Sequence, residues 1–377
     1  MTEWLFIGSI VMIVFTYLGY PLTLLLACGV HSKEVKRADV CPAITFIVTV
    51  HNEEDLIGAK LENTLNLDYP KDKLQLLIAS DGSTDLTNEL VRRQSSRGVE
   101  LLALSERGGK ESAQKAAVRK ASGDVLVFSD VATTLETSGL RQLVSSFADP
   151  TVGCVSSEDR LLGQDGKPSG EGLYIQYEMW LRALESRVNS LVGLSGSLFA
   201  ARRMVCEDFS SETPSDFRIV LNSVKMGFRG VSDPLAIGLY RDIVEGKREW
   251  ARKVRTIVRG LTGFFNHLDL LNVFRFGLFS YQLFCHKLLR WSVPFFLIVS
   301  FAANIVLAPQ TFIYGGLLLV QTLFYVLSIL GFLSPRLRDS AYIRVPFYFL
   351  AVNAAILVAW WRYLRGQRIV TWNPTKR

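Results

Sequence analysis

The sequence lacks the ligand spacings of a zinc enzyme. Its five cysteines, Cys28, Cys41, Cys154, Cys206 and Cys285, stand singly with no CxxC pair, and its four histidines are equally scattered. These patterns exclude a disulfide framework and give zinc-hydrolase chemistry no support; the thiols read as reduced core or span residues. No RNA- or DNA-binding motif is present. The net charge of +7 is modest, and the cations cluster beside apolar stretches. That distribution argues against nucleic acid as a partner and suits phosphate substrates or anionic lipid head groups. No internal repeat or low-complexity linker interrupts the chain. Basic residues are also missing from Met1-Thr2-Glu3, where a cleaved leader would carry them.

What is present is apolar sequence in blocks. The 377 residues are 49% hydrophobic, with a mean hydropathy of +0.24. Residues 4–30, 291–307, 311–333 and 345–361 carry no charge. A helix rises about 1.5 Å per residue, so about 20 such residues cross a hydrocarbon core of about 30 Å. The pattern predicts a retained transmembrane anchor over 1–31, in preference to a signal peptide or a buried core helix. It also predicts about three transmembrane helices within 291–364. The basic stretch His31-Ser32-Lys33-Glu34-Val35-Lys36-Arg37 follows the anchor, and the positive-inside rule then makes the middle of the chain cytoplasmic in a multi-pass cell-membrane protein. One conflict follows from that count. Three further spans leave the C-terminus outside, yet Arg362 and, in the basic tail over 365–377, Arg365, Arg368, Lys376 and Arg377 favour the inside. Either a later segment is re-entrant or the stretch 261–290 crosses once more.

Residues 41–260 have soluble composition and the length of one domain. Residues 43–50 are β-branched and apolar, a fully buried strand, and a helical pattern through Ile57, Leu61 and Leu65 follows. Strands at 74–79, 99–104 and 125–128 alternate with helices near 87–95 and 110–121. This predicts an α/β fold with a mostly parallel sheet, covered on both faces and inserted between transmembrane helices. Further on, 152–156 reads as a strand, 163–170 as a loop, 174–191 as a helix, and 217–226 as a helix closed by Gly227. Residues 261–290 alternate aromatic and polar side chains, as amphipathic interface helices do.

Acidic residues fall at strand ends. Phe128-Ser129-Asp130 closes one strand, Ser80-Asp81-Gly82-Ser83-Thr84-Asp85 another, and His51-Asn52-Glu53-Glu54 the first. Carboxylates at one edge of an open α/β sheet mark its ligand crevice. Gathered there, Glu53, Asp81 and Asp130 repel one another unless a cation or donor-rich ligand compensates. Asp130 is the metal-ligand candidate, for Mg²⁺ or Mn²⁺ held together with substrate phosphates. Each acid also fits a turn or a helix cap, and Asp216 in Pro214-Ser215-Asp216 fits an N-cap as well as a general base. Arg252, Arg255 and Arg259 recur at i, i+3 and i+7 and share one helix face. That face fits a lipid rim or a clamp on a departing diphosphate.

With these residues in this order, the whole chain resembles the inverting family 2 glycosyltransferases. The branch is the membrane-integrated one that includes cellulose, chitin-oligosaccharide, hyaluronan and poly-N-acetylglucosamine synthases. The resemblance implies a GT-A (Rossmann-like) fold and a nucleoside-diphosphate sugar donor, with uridine near Val50, Asn52, Glu53 and Asp81 and with Lys110 close to the nucleotide. It implies that Asp130 is the first acid of an Asp-x-Asp metal motif and Asp216 the catalytic base, with Arg255 beside the leaving group. It places acceptor contacts at Tyr177, Trp180 and Ser195-Gly196-Ser197, with a glycan or lipid-linked saccharide as acceptor and membrane lipid as surroundings. Three motifs depart from the pattern. The metal motif reads Asp130-Val131-Ala132, without its second acid. The base motif reads Pro214-Ser215-Asp216. The Gln-x-x-Arg-Trp of the processive members reads Arg252-Lys253-Val254-Arg255-Thr256, without the tryptophan that helps form their acceptor site. Two other readings stay open: a polyprenyl-phosphate sugar transferase on the same fold, and a non-catalytic membrane transporter or glycan-sensing protein.

Overall fold

The computed structural model describes residues 1–30, 32–162, 173–209, 213–241 and 246–368. The loop expected at 163–170 and the end of the basic tail, 369–377, lie outside the described residues.

The strands are β1 (Ile44–Val50), β2 (Leu74–Ser80), β3 (Val99–Ala103), β4 (Val125–Asp130), β5 (Thr134–Leu135), β6 (Val152–Leu162), β7 (Leu198–Arg202) and β8 (Arg229–Arg241). They form one sheet in the order β3-β2-β1-β4-β7-β6-β8-β5. Strands β3, β2, β1 and β4 are parallel, as the alternation predicts. In the other half β8 is parallel to β6, while β7 is antiparallel to both β4 and β6 and β5 is antiparallel to β8, so the sheet stays mostly parallel with two reversed strands. The sheet is therefore mixed.

Every residue of β1 is buried, because helices cover both faces. Phe46, Val48 and Val50 pack with Ile57 and Leu61 of the helix Glu54–Leu65. Ile47 faces the other way, into a core with Ala113 and Ala117 of the helix Lys110–Lys120 and with Phe217 and Val220 of the helix Ser215–Lys225. The register pairs Thr49 with Asp130 and Val50 with Ser80. The three parallel strands therefore end level, and their carboxyl ends open onto a single crevice.

Four helices have the length and composition to cross a membrane: Thr2–Val30, Leu278–Leu307, Phe312–Leu333 and Ala341–Leu364. Two boundaries differ from the sequence reading. The arginine-bearing helix, Gly246–Phe265, continues past residue 260. The second apolar helix begins at Leu278, so only the short pieces Leu268–Leu271 and Val273–Phe276 remain of the amphipathic stretch expected over 261–290. The reason is tertiary. His286 and Arg290 interrupt the apolar pattern, but each is paired across helices. His286 lies 2.6 Å from Glu185 and 3.0 Å from Glu178, and Arg290 donates to Glu178 at 2.8 Å. The Tyr20 hydroxyl of the first helix joins the same group by donating to Glu185 at 2.5 Å.

Candidate active site

A cavity of about 240 Å³ opens at the carboxyl ends of the strands. Its acidic wall carries Glu53, Asp130, Asp159 and Asp216; its basic wall carries Arg252, Arg255 and Arg259, with Lys110, Glu111 and Gly196 between. Residues more than 200 positions apart in sequence thus share one space, which is what a strand-end crevice achieves.

Asp130 ends β4, and its carboxylate pairs with the Lys110 ammonium at 2.5 Å. Lys110 also donates to the Gly196 carbonyl at 2.9 Å. Its position depends on Asp81, which is fully buried and accepts the amides of Gly108 (2.7 Å) and Gly109 (2.8 Å) just before the Lys110 helix. Gly82 is required in that loop: its φ is +62°, and a Cβ there would lie 2.9 Å from the Arg107 nitrogen. Asp81 thus braces the loop from behind and does not line the cavity.

Asp216 lies in the first turn of its helix, where Pro214 takes the cap position. Its carboxylate accepts the Phe217 amide at 3.0 Å. It also abuts Gly196, where a Cβ would lie 3.3 Å from Oδ2. On the basic wall, Arg259 pairs with Glu111 at 2.5 Å, both nearly buried. Burial, then the neighbouring Arg259 and Arg252, hold the Arg255 guanidinium below its ordinary pKa. Among the described residues neither Arg252 nor Arg255 pairs with a carboxylate. Such a cluster favours an anion.

The other sequence candidates fall elsewhere. Val50 is buried in its strand. Asn52 is exposed at φ +53° and accepts the Thr84 amide at 2.8 Å. Trp180, 42% exposed, meets the Tyr177 ring at 6.0 Å, and the Tyr177 hydroxyl donates to the Tyr17 carbonyl of the first apolar helix. Ser195 directs its hydroxyl at Asp159.

Two residues escaped the sequence reading. Asp159, near the carboxyl end of β6, is surrounded by the hydroxyls of Ser157, Ser195 and Ser197. Burial pushes its carboxyl up, against the pull of those hydroxyls. Lys60 is a wholly buried lysine under the end of β4, donating to the Ser129 hydroxyl (2.7 Å) and the Thr133 carbonyl (2.5 Å). Burial lowers its pKa to about 7. A lysine at a helix position facing inward, between Ile57 and Leu61, was the available signal.

A divalent cation finds limited protein ligation. Among the described residues no three His, Cys, Asp or Glu side chains converge on a metal position, and Val131 and Ala132 line the cavity where a second acid would stand. The residues fit a cation that Asp130 would hold together with the donor phosphates, as Mg²⁺ is commonly held.

Residues 45–209 match the profile of the family described as Glycosyl transferase family 2. An N-acetylglucosaminyltransferase of a Rhizobium species is 25% identical over 248 residues, covering 59% of this chain and 54% of the relative. A poly-beta-1,6-N-acetyl-D-glucosamine synthase of Staphylococcus aureus is 29% identical over 135 residues, covering 35% of this chain and 32% of the relative. The chain thus spans about half or less of the length of these curated relatives. Among solved structures, a mannosyltransferase from Pyrobaculum calidifontis, in complex with GDP-Man and Mn²⁺, superposes with a TM-score of 0.77 at 23% identity. The match covers 98% of this chain and all of that one, and it shows the GT-A fold.

Proposed function

We propose that this chain, a glycosyltransferase with a family 2 domain, moves a sugar from a nucleoside-diphosphate donor to a glycan or lipid-linked acceptor at the cytoplasmic face of the membrane. The observation that carries this reading is the single cavity joining Asp130, Asp216 and the three arginines. Asp216 removes the proton from the acceptor hydroxyl as it attacks, and one displacement inverts the anomeric centre. Arg252 and Arg255 hold the leaving diphosphate, where negative charge grows as the bond breaks. Lys110, already beside Asp130, offers a further ammonium to the same phosphates. Mn²⁺ or Mg²⁺, when bound with the donor at Asp130, supplies charge neutralisation on the diphosphate. The N-acetylglucosamine relatives favour a uridine-diphosphate N-acetylhexosamine donor, and the mannosyltransferase fold neighbour makes guanosine-diphosphate sugars the first comparison.

One observation favours a polyprenyl-phosphate acceptor as a second reading. Lys287, on the second apolar helix, places its ammonium 5.5 Å from the centre of the Phe217 ring, next to Asp216. A cation there suits an anionic acceptor entering from the bilayer. The test is purified full-length protein with Mn²⁺ and a panel of uridine- and guanosine-diphosphate sugars, scored for transfer to saccharide and to polyprenyl-phosphate acceptors. Absence of transfer from every donor to either acceptor class would sink the proposal.

A further inference from the structure

We infer that Asp159 is a specificity-determining residue that accepts hydrogen bonds from hydroxyl or N–H groups of the transferred sugar ring; this rests on the transferase reading above. The turn Ser195-Gly196-Ser197 organises the cavity. The Gly196 carbonyl holds Lys110, and through it Asp130, while the Gly196 α-carbon abuts Asp216. In a single displacement the sugar ring lies between the leaving phosphate and the base. The turn spans that interval, and both of its serines point at Asp159, which lines the same cavity.

The carboxylate already binds hydroxyls. Oδ1 takes Ser195 (2.7 Å), Ser197 (2.6 Å) and Ser157 (3.3 Å), whereas Oδ2 has Ser195 alone, at 2.6 Å, among the described residues. A carboxylate offers about four acceptor positions, so Oδ2 keeps capacity for a further donor. It attracts neutral hexoses and acetamido sugars and repels uronates.

Calorimetry on the full-length protein tests this with UDP, UDP-glucose, UDP-N-acetylglucosamine, UDP-glucuronate and GDP-mannose. Asp159→Asn and Asp159→Ser are expected to bind the bare nucleoside diphosphate within about twofold of wild type. The best donor should weaken about tenfold to a hundredfold, the usual worth of a hydrogen bond to a charged group. Discrimination against the uronate should narrow. Equal loss for nucleotide and donor, no loss for the donor, or failure of both variants to fold would each overturn the assignment by making Asp159 purely structural. If wild type bound no donor in the panel, the transferase reading would fall first and this inference with it.

A second observation, independent of the cavity, concerns the membrane. The geometry points to the helix Ala341–Leu364 lying along the bilayer surface on the catalytic-domain side. It runs beside the arginine helix: Tyr348 meets the Lys253 ammonium at 6.0 Å, Tyr363 stacks on Phe265 at 5.3 Å, and Ala355 and Ala359 pack with Val254, Val258 and Leu261 between them. Both ends of the arginine helix belong to the domain. Arg252 lines the cavity, and Asp269, just beyond Phe265, pairs with Lys225 at 2.9 Å. A helix crossing a core of about 30 Å carries one end away from such a partner. Here neither end leaves.

This arrangement keeps Arg336, Arg338, Arg362, Arg365 and Arg368 on one side, and it chooses the re-entrant alternative left open by the sequence. The exposed Tyr342, Val345, Tyr348, Trp361 and Leu364 then face lipid. In sealed membrane vesicles, added protease is expected to remove an epitope tag fused after Arg377 in the same vesicles that lose the catalytic domain. Survival of the tag in those vesicles would overturn the in-plane placement.

Discussion

The Lys60 ammonium lies 2.7 Å from the Ser129 hydroxyl, one residue before Asp130, in a fully enclosed position. It tethers the end of β4 and the turn to Thr133 from beneath. Burial lowers its pKa from 10.5 to about 7, so between those values the unfolded chain binds the extra proton and stability rises with pH. The cost of burying the charge is fully present below about pH 7 and is relieved as pH climbs toward 10.5. The slope is at most about 1.4 kcal/mol per pH unit. Denaturation of wild type and Lys60→Met from pH 7 to 9 should show a rise in stability that the variant lacks. An identical slope in both would remove Lys60 as its source.

Asp216→Asn should leave nucleotide affinity near wild type while transfer to a saccharide hydroxyl falls by about 10²- to 10⁴-fold, the usual range for a general base. Calorimetry and initial rates on one preparation separate the two effects. Near-normal turnover in the variant would remove Asp216 from the mechanism. Normal transfer to polyprenyl phosphate alone would favour the second reading, since that acceptor needs no base.

Arg255→Ala should weaken binding of the nucleoside diphosphate by about tenfold to a hundredfold. Arg255→Lys should restore only part of it, because an ammonium does not reproduce the guanidinium fork. The loss should shrink as salt screens the cluster. Unchanged affinity for Arg255→Ala would place the diphosphate elsewhere.

Glu111 and Arg259 form a nearly buried pair at 2.5 Å. Glu111→Ala leaves a desolvated guanidinium beside Arg255 and should cost about 3–5 kcal/mol of stability. Removing both charges with Glu111→Leu and Arg259→Met together should recover most of it, whatever happens to activity. Equal melting temperatures for wild type and Glu111→Ala would show that the pair contributes nothing.

Amino-acid order alone determined the parallel strands β1 to β4 and where each one stops. The run from Val125 to Phe128 is apolar enough to be buried on both faces, and Asp130 must then leave the sheet at its end. The same local logic produced β1 and β2, the arginine face of residues 252–259 and the four apolar helices, because burial along one element is written in its own periodicity. Side-chain direction is not written there. Asp81 and Asp130 occupy equivalent strand ends, yet one turns inward to amides 27 and 28 positions away and the other faces the cavity. Lys60 finds its partner 69 positions on, and Asp159 meets Ser195 at a separation of 36. Glu178 and Glu185 let polar His286 and Arg290 sit inside an apolar helix, so its start moved to Leu278. In each case the deciding energy is electrostatic and short-ranged: a buried charge or donor must be matched by a group within about 3 Å. Only the folded chain determines which group that is.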